Sequence, residues 1–339
     1  MAILEIEDLR VHYVTPGGVA RAVDGAGFAV EAGQIVGLVG ESGCGKTTLA
    51  RAIPGVMPKS AKVASGRILF EGRDLLALPA RQMKALRWAE IAFIPQSAMN
   101  SLDPVYRVGR QMSEVLVERG GMDKRAARAR SAELFAMVGI EAGRLDDYPH
   151  QFSGGMRQRV AIALALALKP KLVIADEPVT ALDVVVQRQV LDVLRGLQAE
   201  LDLAVILVTH DISVVAYLCD AVVVMYAGQV VESGTCAEVL AHPDHPYTMG
   251  LCNAFPDLAR SQGKLVPIEG APPSLLDPPA GCRFAPRCPF RIERCQQQPP
   301  LAQTRPGHRA ACWRSGEAAT LRPLAGETET WERVVAEVA

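Results

Sequence analysis

The stretch QIVGLVGESGCGKTTLARAI, residues 34–53, limits the possible folds of this chain more than any other. An apolar run, IVGLVG, passes into a loop with glycines at 40, 43 and 45, and TTLARAI then reads as the start of a helix. Without a Cβ, glycines let successive backbone N–H groups turn inward around an anion. Strand, loop and helix together predict a phosphate cradle. Gly40, Ser42, Gly43 and Gly45 shape it, Lys46 brings a point charge to the β/γ oxygens, and the Thr47 hydroxyl can ligate Mg²⁺. Thr48 follows as a further nucleotide-contacting candidate. Cys44 reads as a small residue the loop tolerates, with no thiol chemistry. The expected ligands are ATP and Mg²⁺.

Two further apolar runs end in polar groups. KLVIADEP (171–178) suits a strand buried on both faces of a parallel sheet. Such strands deliver side chains at their C-terminal ends, where nucleotides bind. Asp176 is placed to organise Mg²⁺, and Glu177 is the candidate general base for an attacking water. LAVILVTH (203–210) ends in His210, where an imidazole could contact a γ-phosphate and hold water and base in line. A second glycine turn, FSGGM (152–156), precedes a helical run and offers Ser153, Gly154 and Gly155 to another phosphate. One chain thus carries two cradles about a hundred residues apart.

Composition narrows the setting. The net charge of −1 gives no global pull toward nucleic acid, and none is expected as a partner. The strongest apolar run, VAIALALAL (160–168), is about half the length needed to cross a bilayer. The acidic, alternating start MAILEIEDLR is no signal peptide, so an intracellular protein is expected.

In order along the chain, Gly40–Thr47, the glutamine of FIPQS (Gln96), FSGGM, LVIADE (172–177), ALD (181–183) and TH (209–210) resemble the nucleotide-binding subunit of an ATP-binding-cassette (ABC) transporter. The resemblance spans residues 3 to 255. It implies a P-loop α/β ATPase with a RecA-like parallel sheet core, an antiparallel β subdomain and a helical subdomain at about 97–170. It also accounts for the second cradle. Two such subunits pack head to tail, so Ser153, Gly154 and Gly155 would complete the ATP site of the opposite subunit. Tyr13 would stack on adenine, Asp183 would reach across the dimer, and Gln96 would sense Mg²⁺ and the attacking water. The signature departs from the family's commonest form, LSGGQ, at Phe152 and Met156, while its serine and glycines are unchanged. DKRAARARSAELFAMVGI (123–140) reads as a helix with a solvated basic face, and 97–104 as part of the groove for a permease.

The finer resemblance is to the oligopeptide/dipeptide importer branch, through FIPQSAMNSLDP, YPHQFSGGMRQRV, VTALDVVVQ, HPYT (245–248) and GCRFAPRCPF (281–290). It implies an ATPase driving peptide import from the cytoplasmic face of the membrane. Its partners would be two permease subunits, an extracytoplasmic binding protein and a second, related ATPase forming a heterodimer. Relatives in the branch carry nickel or glutathione, which keeps the cargo open. The rival class is a soluble cassette ATPase, such as an iron–sulfur assembly type, which leaves 245–312 without a purpose.

A domain boundary is expected near 255–270. Ten of the 23 prolines lie between Pro267 and Pro306, and this segment holds Cys282, Cys288, Cys295 and Cys312. In an intracellular protein, disulfides are disfavoured and a four-thiolate metal site would stabilise a segment with little core of its own. Zinc sites usually show tight C-x₂₋₄-C pairs, absent here, while spread thiolates suit a [4Fe–4S] cluster. The resemblance implies a cluster, with zinc as the alternative. His308 is a substitute ligand on paper but reads as a surface residue. Residues 256–316 form the extension, and 317–339 read as a weakly ordered tail with one short helix.

Overall fold

A computed structural model describes residues 2–96, 98, 101–180, 182–254 and 266–332. The expected permease segment at 97–104 and the expected boundary at 255–270 each fall partly outside these residues.

Strands β1 (Ala2–Thr15), β2 (Gly18–Glu31) and β3 (Ile35–Val39) precede helix α1 (Lys46–Ala52), and β4 (Ala61–Phe70) and β5 (Arg73–Asp74) follow. Next come α2 (Ala80–Ala89), β6 (Ile91–Ile94), α3 (Val108–Glu118), α4 (Lys124–Met137), α5 (Gly154–Ala165) and β7 (Leu172–Asp176). The chain continues through α6 (Val184–Leu201), β8 (Ala204–Thr209), α7 (Ile212–Leu218), β9 (Ala221–Tyr226), β10 (Gln229–Thr235), α8 (Cys236–Ala241) and α9 (Pro246–Asn253). A hairpin, β11 (Ala302–Arg305) and β12 (His308–Ala310), leads to α10 (Ala318–Ala325). No helix among the described residues is long and apolar enough to cross a membrane.

Internal contacts divide the chain into two compact units. The first comprises Met1–Ile3, Val30–Ile35 and Asp74–Val208. Here β6, β7 and β8 run parallel, with Leu172 opposite both Ile91 and Ala204. Every residue of LVIAD and AVILVT is buried, as a strand covered on both faces requires. Helices α3, α4 and α5 bury Leu116, Leu134, Phe135 and Val160. Phe135 meets Phe152 edge to face at 6.4 Å, so the departure from LSGGQ at 152 places an aromatic ring in this core. The helix expected over 123–140 is α4. Asp123 starts it by accepting from the N–H groups of Arg125 and Ala126, satisfying donors that helix geometry leaves unpaired. On its exposed face Arg128 pairs with Asp146 at 2.7 Å.

The second unit comprises Leu4–Ala29, Val36–Arg73 and Thr209–Ala339. Strand β1 pairs antiparallel with β4, Leu4 opposite Phe70, and β2 lies on its other side. Strand β3, wholly buried, runs parallel to β9, and β10 returns antiparallel. The C-terminal hairpin joins this same sheet, with β12 pairing β10 at Glu232 and Ala310. The proline- and cysteine-rich segment therefore borrows an existing sheet edge instead of building its own core.

Two expectations are corrected here. Residues 318–332 are packed, not a weakly ordered tail, because Leu321, Ala325 and Trp331 are buried. Asn253 Nδ2 and the Trp331 indole both donate to the Ala325 carbonyl at 2.9 Å. His308, expected at the surface, is 1% exposed, because β12 carries it inside against β10.

Candidate functional site

In the second unit, β3 runs straight into the glycine loop. Gly40 has φ +153 and Gly45 φ +106, and a Cβ on either would lie about 2 Å from a backbone oxygen, at Met225 or Ala22. Only glycine fits both constraints. Lys46, 5% exposed, folds back and donates from Nζ to the carbonyls of Gly40 at 2.7 Å and Glu41 at 2.9 Å. Ser42 and Gly43 are exposed, Thr47 half-buried and Thr48 buried. The Tyr13 hydroxyl lies 3.3 Å from Thr48 Oγ1, which brings the expected adenine-stacking residue to the first turn of α1. Burial outweighs the Lys46 ammonium and pushes the Cys44 thiol up, in keeping with an inert residue. His210 is exposed immediately after β8, and Asp211 caps α7 through a bond from Ser213 N.

In the first unit, β7 ends in Asp176, which is fully buried, followed by Glu177. The register that sets Ile94 opposite Ala175 brings Gln96 and Glu177 to the same end of two neighbouring strands. Gln96 Nε2 donates to Glu177 Oε2 at 2.7 Å, and Thr180 Oγ1 donates to the same oxygen at 3.1 Å. Glu177 has φ +50, uncommon for a residue with a side chain and a conformation found at functional sites. Its N–H is held by the Val208 carbonyl at 2.9 Å. Thr180 was not singled out from the sequence. The hydroxyl three residues after the acidic pair was the available signal.

The second glycine turn opens α5. Ser153 is exposed and its Oγ accepts from Met156 N at 3.3 Å as a helix cap. Gly154 is half-buried and Gly155 buried. A Cβ on Gly155 would lie 2.2 Å from Val186 Cγ1, so packing against α6 requires glycine here, independently of any phosphate. Asp183 is exposed and caps α6, accepting from Val186 N at 3.0 Å. Beside it Val184 and Val185 are 80% and 67% exposed.

In the second unit, Cys282, Cys288, Cys295 and Cys312 line one small cavity together with His245, Pro246, Phe284 and Trp313. None of the eight cysteines is in a disulfide. Burial pushes the Cys288 thiol well up and the Cys312 thiol up to about 12, so a cation would have to stabilise their thiolates. His308 does not line this cavity. Its Nε2 lies 2.6 Å from Glu232 Oε1 and its Nδ1 2.9 Å from the Arg305 guanidinium. Arg305 can only donate, so Nδ1 accepts and Nε2 carries the proton toward Glu232. Glu232, Asp244 and His308 bring their donor atoms within 4.8 Å of one another. Arg305 on both His308 and Asp244 marks that group as an ion-pair network.

Residues 23–180 match the family model described as ABC transporter, and residues 231–295 the one described as Oligopeptide/dipeptide transporter, C-terminal region. A probable peptide ABC transporter ATP-binding protein of Sinorhizobium fredii is 46% identical over 94% of this chain and 97% of its own length. The dipeptide transport ATP-binding protein of Bacillus subtilis is 44% identical over 96% and 99%. The oligopeptide transport ATP-binding protein of Escherichia coli is 45% identical over 93% and 94%. A dimeric ATP-binding cassette in a post-hydrolysis state, bound to ADP and Pi, superposes with a TM-score of 0.62 at 26% identity. It covers 69% of this chain and 98% of that one.

Proposed function

The chain belongs to the ABC transporter family as the ATP-hydrolysing subunit of an oligopeptide/dipeptide importer, and on that basis we propose roles for its residues. Its partners are permease subunits and a substrate-binding protein. The observation that carries peptide as the cargo is the match of residues 231–295, in the same chain as the cassette, to the region characteristic of peptide transporters.

Gly40, Ser42, Gly43, Gly45 and Lys46 hold the ATP phosphates, Thr48 supports them, and Tyr13 stacks on the base. Thr47 and Asp176 hold Mg²⁺, directly or through water, with Gln96 reaching toward it. Glu177 takes the proton of the attacking water, and Gln96 and Thr180 fix its carboxylate by donating to Oε2. His210 steadies the γ-phosphate. Such chemistry needs positioning and charge stabilisation more than covalent participation. Ser153, Gly154 and Gly155 serve the ATP of a second, related subunit, with Asp183 at the junction, so that ATP closes the dimer and hydrolysis releases it. The pair works on the cytoplasmic face of the inner membrane.

The four cysteines hold a [4Fe–4S] cluster. With five, six and sixteen residues between successive thiols and no tight C-x₂₋₄-C pair of the kind zinc sites use, the four are better matched to a cube of iron and sulfide ligated at its corners. The cluster would supply folding stability to a segment poor in core. Anaerobically prepared protein should show a broad absorption shoulder near roughly 400 nm, lost in Cys288→Ser. Colourless protein with stoichiometric zinc would sink the assignment.

The function as a whole is tested by uptake in cells lacking this chain, comparing a labelled dipeptide or tripeptide with nickel ion. Peptide uptake should be lost and restored by wild type but not by Glu177→Gln. Loss of nickel uptake alone would move the cargo and keep the mechanism.

A further inference from the structure

Glu41 is the second residue of the phosphate loop, and the C-terminal half of its unit holds it in two ways. Its carboxylate receives a fork of two bonds from Arg287, Nη1 to Oε2 at 2.7 Å and Nη2 to Oε1 at 3.0 Å. Its backbone N–H donates to the Tyr247 hydroxyl at 2.8 Å. Both partners are anchored. The Arg287 side chain is 6% exposed and also donates to the carbonyls of Glu269 and Ile268 and to the Tyr226 hydroxyl. Tyr247 is wholly buried, its ring 4.6 Å from that of Tyr226 and 5.4 Å from that of Phe284.

Each partner adjoins the wall of the four-thiol cavity. Arg287 immediately precedes Cys288, and Tyr247 immediately follows His245 and Pro246, which line the cavity with the thiols. Two stretches of chain about forty residues apart thus lead from that wall to one loop residue. The charges explain why the fork matters. A carboxylate on the loop that receives a polyphosphate opposes the incoming charge, and a bidentate guanidinium both cancels it and fixes its direction.

We propose that Arg287 and Tyr247 are positioning residues for ATP, neutralising and fixing Glu41 so that the C-terminal cysteine segment sets the nucleotide affinity of the phosphate loop. The inference rests on the reading of residues 40–47 as the ATP loop.

The test is the dissociation constant of a fluorescent ATP analogue for the full-length chain. Arg287→Met should weaken binding about tenfold or more, the scale for removing one partner of a hydrogen-bonded charge pair. The loss should shrink as ionic strength rises, because it comes from charge. Adding Glu41→Gln to Arg287→Met should recover most of the affinity, since the uncompensated carboxylate is gone. Tyr247→Phe should weaken binding without that salt dependence. Arg287→Met within twofold of wild type would overturn the proposal, and so would a double variant as weak as the single one, which would mark Arg287 as mere packing. Lys46→Ala runs alongside. If it binds like wild type, the ATP-loop reading falls and takes this inference with it. If it loses binding while Arg287→Met does not, this inference alone falls.

Discussion

Gln96 donates from Nε2 to Glu177 Oε2 at 2.7 Å, joining two side chains 81 positions apart in sequence. The parallel register of β6 and β7 makes the meeting unavoidable, since Ile94 faces Ala175 and each strand ends within two residues of its polar group. Thr180 donates to the same oxygen at 3.1 Å.

Glu177→Gln should keep nucleotide binding and lose at least about 100-fold in hydrolysis, the usual weight of a general base. Thr180→Ala removes a donor to Glu177 Oε2 and should cost roughly three- to tenfold, the net worth of a single hydrogen bond. Phosphate release from the assembled transporter measures both. If Glu177→Gln retains most of its turnover, the base lies elsewhere.

Lys46 is bonded to the carbonyls of its own loop at 2.7 and 2.9 Å, bonds that ATP phosphates held as proposed would have to outcompete. Charge-assisted contacts to phosphate are stronger than those to neutral carbonyls. Lys46→Ala should therefore weaken ATP binding roughly 10- to 100-fold, on the scale of one or two hydrogen bonds to charged groups. Equilibrium titration of the nucleotide decides it.

Gly155→Ala would place a methyl 2.2 Å from Val186 Cγ1. Overpacking of this kind should destabilise the protein by about 1–3 kcal/mol. Combining it with Val186→Ala should return much of that loss, and urea unfolding of the three variants gives the coupling. Strict additivity would mean that the two side chains do not meet.

His245 accepts from Tyr247 N at 3.0 Å through Nδ1, and burial pushes its pKa down to about 3. The unfolded chain takes up this proton near the ordinary value of 6.5, whereas the folded chain waits until about 3. Stability should therefore fall as pH drops through that window, by about 1.4 kcal/mol per unit, with no contribution above it. His245→Asn keeps a capping oxygen and removes the titration. The difference in unfolding free energy between wild type and variant should shrink steadily from pH 6.5 to 4, and a constant difference would contradict the assignment.

The chemistry at strand ends was legible because it is local. Apolar runs such as IVGLV and LVIAD declare buried strands, and the residues after them are where such sheets present side chains. What escaped depends on distant pairing. His308 read as a surface residue because nothing near it signals that β12 docks on β10, 76 positions from Glu232 to His308. Arg287 and Tyr247 carry no local hint of Glu41, which is reached across more than two hundred residues. Gly155 read as an approach to phosphate, and the fold gives it a second reason in Val186. The last helix looked weak because its stability comes from Trp331 and Asn253 against it, with little from its own composition.

Trp313 forms part of the wall around the four thiols, and Trp331 packs against Phe284, another wall residue, with ring centroids 6.4 Å apart. Two of the chain's three tryptophans thus stand within easy energy-transfer range of that chamber. The proposed cluster, held there, would quench their ultraviolet glow, and its departure would restore it. That would give an optical gauge of the chamber's contents, readable without any label.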